Sequence, residues 1–183
     1  MNNFGSSYNL IEQQSDKEIQ YFFVSRGKRD IIKAIQYILV ERLNGVDVFN
    51  LGFGDYDLEK GEIVDDVNTN NGDSYKVFNT VLNTIPSFFA IYKNSMLMIE
   101  GSDSRPEFVD NCRLSCLKKC IEECKNFNRR INIYRSYVDK NYGQLTHNYL
   151  FFGGLRDDKN IVIIEPYERG KEYTSVFLLK RNP

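Results

Sequence analysis

Apolar positions along this 183-residue chain recur with two periods, and each period predicts a different kind of element. Residues 20–25, QYFFVS, are aromatic and β-branched and predict a strand. Residues 8–11 predict a shorter one. The run IIKAIQYILVERL fits both a helix and a long strand, and the reading leans to strand at its start. Residues 46–53 and 62–67 predict two more strands. Between them Asp57-Leu58-Glu59-Lys60-Gly61 predicts a hairpin loop, with Gly61 supplying the positive φ.

The helical period is clearest at Val77, Phe78, Val81, Leu82, Ile85, Phe88, Phe89 and Tyr92. Asn71 or Asp73 is expected to cap this helix, and Pro86 to kink or split it. Residues 95–100 form an almost wholly apolar segment, which predicts a central strand. Ser104-Arg105-Pro106-Glu107 has the pattern of a capping box and opens a second helix. That helix is expected to carry Phe108, Val109, four cysteines, Leu117, Ile121 and Phe127. Residues 131–134, 148–152, 161–165 and 174–179 predict strands again. The order is that of an α+β chain with a largely antiparallel, curved sheet and two main helices. Its length suits a single domain over residues 1–183, with 1–7 a loose terminus.

Composition narrows the function. Hydrophobic residues make up 42% and aromatic ones 14%, which excludes a disordered chain. Lys plus Arg is 24 and Asp plus Glu is 25, so no global field attracts nucleic acid or an anionic membrane. The longest apolar runs are far short of the roughly 20 residues that cross a bilayer. The segment MNNFGSSYNLIEQQ has no basic start and no apolar stretch of signal-peptide length, and the expectation is a soluble cytoplasmic protein.

The candidate chemistry is sparse. Cys112, Cys116, Cys120 and Cys124 follow one another at four-residue steps. On a helix they draw one stripe rising about 18 Å, too long for a single metal ion. Neighbours on that stripe have poor disulfide geometry, so the expectation is reduced thiols packed into the core. Asp55, Asp57, Glu59, Glu62, Asp65 and Asp66 surround one hairpin, but the spacing fails as a calcium loop and a solvated acidic hairpin is favoured. His147, the one histidine, has no partner nameable from sequence. Basic residues gather weakly at Arg26, Lys28, Arg29 and Lys33, and again at Arg113, Lys118, Lys119, Lys125, Arg129 and Arg130. Both groups read as solvated faces. No cofactor and no metal site is expected. The candidate ligand-binding set is Asn50, Asp55, Asn71, Asp73, Ser102 and Arg105, at or beside the ends of predicted elements. An ion pair of Arg105 with Asp55 or Asp73 would lock these loops. Otherwise Arg105 would receive an anionic group.

FNLGFGDYDLEKGEIVDD, NNGDSYKVFNTVL, EGSDSR and the later ERGKEYTSVFLLKR resemble, in order and spacing, an uncharacterised domain family frequent in Bacteroidetes. The resemblance spans about Tyr21 to Arg181 and implies no assigned activity and no catalytic residue. The chain departs from it at residues 107–112, where that family tends to place an Arg-Leu-Tyr element. The element order is also similar, more weakly, to the GNAT acetyltransferase fold. That likeness would put a coenzyme loop at residues 69–74, where the chain lacks the expected Arg or Gln and adds Asp73. The leading expectation is a non-enzymatic binding or interaction module for a protein partner or a small anionic ligand. The alternative is an acyltransferase-like enzyme or a small toxin acting on RNA or a nucleotide.

Overall fold

The computed structural model describes residues 6–15, 18–64, 71–104, 106–115, 120–121, 124–157 and 161–181. The expected loose terminus therefore lies, apart from Ser6 and Ser7, outside the described residues. The class is α+β with mostly antiparallel strands. Two compact units divide the chain, residues 1–95 and 96–183.

The first unit is an antiparallel meander carrying one helix. Strands β1 (Ile11–Ser15), β2 (Glu18–Ser25), β3 (Ile31–Leu43), β4 (Val46–Asp57) and β5 (Glu62–Val64) pair each with the next. The ambiguous run is strand throughout, because Ile31 to Ile38 pair with Ser25 to Glu18 on one side while β4 pairs on the other. Gly61 has φ +70° and closes the predicted β4–β5 turn. Asp57 Oδ1 accepts the N–H groups of Glu59 and Lys60 there, at 2.9 and 3.1 Å, which gives this acid a turn-forming role.

Helix α1 (Ser74–Ile91) runs unbroken through Pro86 rather than splitting at it. Strand alternation sends Ile19, Tyr21 and Phe23 of β2, Ile35 and Tyr37 of β3, and Phe49 and Leu51 of β4 to the face that α1 covers. Phe88 is the hub of this core. Its ring lies 4.7 Å from Tyr37, 5.2 Å from Phe49 and 5.0 Å from Phe89. The Tyr37 and Thr84 hydroxyls share a 2.6 Å hydrogen bond, so the buried phenol is satisfied.

In the second unit β6 (Met96–Glu100) pairs with β9 (Ser175–Lys180), β9 with β7 (Tyr149–Arg156), and β7 with β8 (Val162–Pro166), all antiparallel. Helices α2 (Pro106–Ser115) and α3 (Arg129–Leu145) lie between β6 and β7 in sequence. A third helix thus joins the two expected ones, and α3 replaces the strand predicted at 131–134. Ile131, Val138 and Leu145 are buried and recur at multiples of a helical step, which outweighs the local β character of INIY. The tail segment ERGKEYTSVFLLKR has a structural reading here. Tyr173 donates to Glu165 at 2.9 Å and Lys171 pairs with the same carboxylate. Tyr167 and the Gly170 N–H both reach Asp139 on α3, at 2.9 and 3.3 Å.

The cysteine helix is also corrected. Helix α2 ends at Ser115, and Cys120, Ile121 and Cys124 are not helical. Cys116, Leu117, Lys118 and Lys119 lie outside the described residues. Leu114 is 88% and Ile121 94% exposed, so neither anchors a longer helix against a core. Phe127 falls in a turn, and Asn128 in the left-handed region (φ +58°) precedes α3.

The Ser104 side chain makes none of the bonds that a capping box requires. Ser104 is buried in a 3-10 turn, Ser102–Ser104, and its Oγ has no partner among the described residues. Removing a buried, unpaired hydroxyl relieves desolvation instead of deleting a bond. Ser104→Ala is therefore expected to leave the denaturation midpoint unchanged or raise it. A loss of about 1 kcal/mol, the usual cost of a deleted cap, would contradict this geometry.

Candidate functional site

Two of the six sequence candidates meet in one network, at the open end of the first unit's sheet. Asn71 Nδ2 donates to Ser25 Oγ at 2.9 Å and to the Arg29 carbonyl at 2.8 Å. Asp73 Oδ2 accepts from Ser25 Oγ at 2.7 Å and from the Tyr8 hydroxyl at 2.8 Å. The segment before α1 is thereby tied to the end of β2 and to residues that precede β1. Gly27 makes the approach of Asn71 feasible, since a Cβ there would stand 2.6 Å from Asn71 Cβ.

Asp73 occupies the N-cap position but makes no side-chain cap bond, nor does Asn71 take that role. The carboxylate is turned to Tyr8 and Ser25 instead, where two hydroxyl donors compete with the helix N–H groups. Burial acts to raise its pKa. The bonds from Ser25 and Tyr8, with the charge of Lys33, outweigh burial and hold it below the ordinary Asp value. The folded value is the lower one, so the unfolded chain binds this proton more tightly. The contribution of Asp73 to stability is complete above the unfolded value of about 4 and is lost as pH falls through the folded value. Asp73→Asn is expected to flatten the acid limb of a stability–pH curve. An acid limb identical to that of the parent would contradict this role.

The remaining candidates have other surroundings. Asp55 is paired with Lys33 across the β3–β4 register, their side chains only 14% and 8% exposed. Lys33 is thus a buried ion-pair member and not part of a solvated basic face. Asn50 sits opposite Ile38 and on the other face of the sheet from Asp55, because the two are an odd number of positions, five, apart on a regular strand. Ser102 belongs to the second unit, where Arg130 Nη1 donates to its hydroxyl. Arg105 lies outside the described residues. The neighbouring Asp103 is the residue that caps α3, its carboxylate accepting the Arg130 N–H at 3.1 Å. Burial foremost raises the pKa of Asp103, opposed by that N–H. His147 is exposed at the end of α3, its Nδ1 3.2 Å from the Gln144 carbonyl.

Beside the Asp73 network opens a cleft of about 820 Å³. Tyr8, Ile11, Phe22, Arg26, Tyr56 and Lys76 are among its lining residues. Tyr8 stacks on Phe23 at 5.3 Å, and Lys76 Nζ stands 3.9 Å from the Tyr8 ring centroid. One face of the phenol thus rests on the sheet and the other carries an ammonium. Phe22 of β2 and Tyr56 of β4 meet edge to face at 4.9 Å across the intervening β3. Neither Arg26 nor Lys76 meets a carboxylate among the described residues. Sequence reasoning missed Tyr8, Ser25, Phe22, Tyr56 and Lys76. The one legible signal was the placing of Asn71 and Asp73 before α1, beside which these residues gather.

Fold and site together define an α+β protein whose first unit holds an open, aromatic and cationic cleft. Residues 5–107 match DUF6934, a family of unknown function, and the chain belongs to that family. The match includes the whole cleft and ends just inside α2, so ERGKEYTSVFLLKR lies beyond it. No curated protein and no solved structure matches the chain. No helix among the described residues is long and apolar enough to cross a membrane.

Proposed function

We propose that this chain is a non-enzymatic binding module of the bacterial cytoplasm, and that its ligand is a small anion bearing an apolar or aromatic group. The observation that carries the reading is the pairing of two cations, Arg26 and Lys76, with a cleft whose other lining is mainly aromatic and aliphatic, Ser7, Asn9 and Gln13 being its neutral polar members. Its volume falls within the roughly 300–1,000 Å³ usual for small-ligand sites. The ammonium and guanidinium would take the anionic head, and Ile11, Phe22 and Tyr56 the apolar body. The Asp73 network supports Tyr8 from behind, which gives the cleft a fixed wall. Unbridged thiols at Cys112, Cys120 and Cys124 fit a reducing compartment.

The probe for this reading is 8-anilinonaphthalene-1-sulfonate, an aromatic anion whose fluorescence rises on burial. Saturable binding with one site per chain is expected, weakened at least about fivefold by Lys76→Ala and further by Arg26→Ala with Lys76→Ala, a loss on the order of 1 kcal/mol or more. Its neutral analogue N-phenyl-1-naphthylamine is expected to bind more weakly. Equal binding of both dyes, insensitive to the two substitutions, would overturn the proposal.

A further inference from the structure

The cations beside the cleft continue past its wall. Arg26, Lys28 and Arg29 all lie exposed on the turn between β2 and β3. That turn is fastened to the start of α1. Asn71 Nδ2 donates to the Arg29 carbonyl at 2.8 Å, and the Arg29 N–H donates back to Asn71 Oδ1 at 3.4 Å. Asp73, at the head of α1, accepts from Ser25 Oγ at 2.7 Å. Tyr8 joins the two segments, since its hydroxyl accepts the Arg26 N–H at 3.3 Å and its ring carries the Lys76 ammonium. Arg26, Lys28, Arg29 and Lys76 thus gather around one turn and one helix start, and none meets a carboxylate among the described residues. Of the acids in these two segments, Asp73 is engaged by two hydroxyls and Asp30 is the exposed one. Tyr75, next to Lys76 in the first turn of α1, is 89% exposed. A ring this exposed packs against little, and among cations it has the character of a stacking surface.

We propose that the aromatic anion taken by the cleft is one nucleotide of a single-stranded nucleic acid, whose neighbouring phosphates follow Arg26, Lys28 and Arg29 and whose neighbouring base stacks on Tyr75. The proposal rests on the reading of the cleft as an anion site. A lone anionic group needs only the charges in the cleft, Arg26 and Lys76, whereas Lys28 and Arg29 beyond it suit further phosphates along a chain. Phe22 and Tyr56 take the base inside the cleft. Every base has a π-face, so these contacts tolerate any sequence, and an unpaired strand exposes those faces where a duplex hides them.

The test titrates fluorescein-labelled hexathymidylate with the full chain, by fluorescence anisotropy at several salt concentrations. Saturable binding that weakens as salt rises is expected. Lys28→Ala with Arg29→Ala is expected to weaken it at least about fivefold and to flatten the log–log salt slope by roughly 0.7 for each phosphate contact removed. Tyr75→Ala is expected to weaken it by about fivefold or more, the loss of one stacked base. None of these three residues lines the cleft, so both variants are expected to bind 8-anilinonaphthalene-1-sulfonate as the parent does. If the parent binds the dye but not the hexamer, or binds the hexamer with no loss in either variant, the strand assignment is overturned and the cleft reading stands. Adenosine triphosphate binding as tightly as the hexamer would also overturn it, because one nucleotide would then suffice. A parent chain that binds neither dye nor hexamer would overturn both readings.

Discussion

Lys33→Met is expected to lower the unfolding free energy by roughly 3–5 kcal/mol, the usual effect of removing one partner of a buried ion pair. Lys33 and Asp55 face each other across β3 and β4 on the side that α1 covers, their side chains 8% and 14% exposed. Without the ammonium, the Asp55 carboxylate would stay inside with its charge unbalanced. The same ammonium helps hold down the pKa of Asp73, so the Asp73 network should weaken with it. Adding Asp55→Leu to Lys33→Met is expected to recover most of the loss, since an apolar pair of similar volume often equals a buried ion pair. Urea denaturation of the parent, both single variants and the double variant measures this directly. Losses in the two single variants that simply add in the double would mean that the charges do not depend on each other.

The second large effect belongs to Phe88. Phe88→Ala is expected to cost about 3–5 kcal/mol, because the site cannot collapse around the vacated ring. Phe88 is fully buried, and Tyr37, Phe49, Phe89 and Tyr92 all stand against it. Phe88→Leu should recover part of the loss by refilling the space. If Phe88→Ala lowered stability by less than about 1 kcal/mol, the core of the first unit could not be arranged as described.

Much of the architecture was legible because it rests on short-range periodicity. Strand β2, helix α1 and the turn at Gly61 follow from alternation, helical spacing and a glycine with positive φ. The errors arose where a local signal met a longer-range constraint. Asn-Ile-Tyr reads as β until Val138 and Leu145 are counted with Ile131. The cysteine stripe predicts one long helix, but the flanking Leu114 and Ile121 are solvated, and Cys120 and Cys124 are not helical. Ser104 matched a capping pattern by spacing alone, but its buried hydroxyl makes no capping bond.

The site was legible only in outline. Asn71 and Asp73 stood out as polar residues before a helix, yet their partners Tyr8 and Ser25 are 65 and 48 residues distant from Asp73 in sequence. Tertiary folding decides which hydroxyl reaches that carboxylate, and no local spacing encodes it. Lys76 was hidden for the same reason, because its ring partner Tyr8 precedes the first strand. Sheet pairing likewise separates Asn50 from Asp55, a fact of strand parity that became useful only once the register was known.

The central claim is that the cleft beside Asp73 is the ligand site, and amide chemical-shift mapping with 8-anilinonaphthalene-1-sulfonate tests it most directly. The account predicts that the largest shifts fall on Tyr8, Phe22, Arg26, Tyr56 and Lys76, with α3 and His147 unmoved. Shifts concentrated on the second unit, or spread evenly over exposed apolar residues such as Ile121 and Ile163, would contradict it.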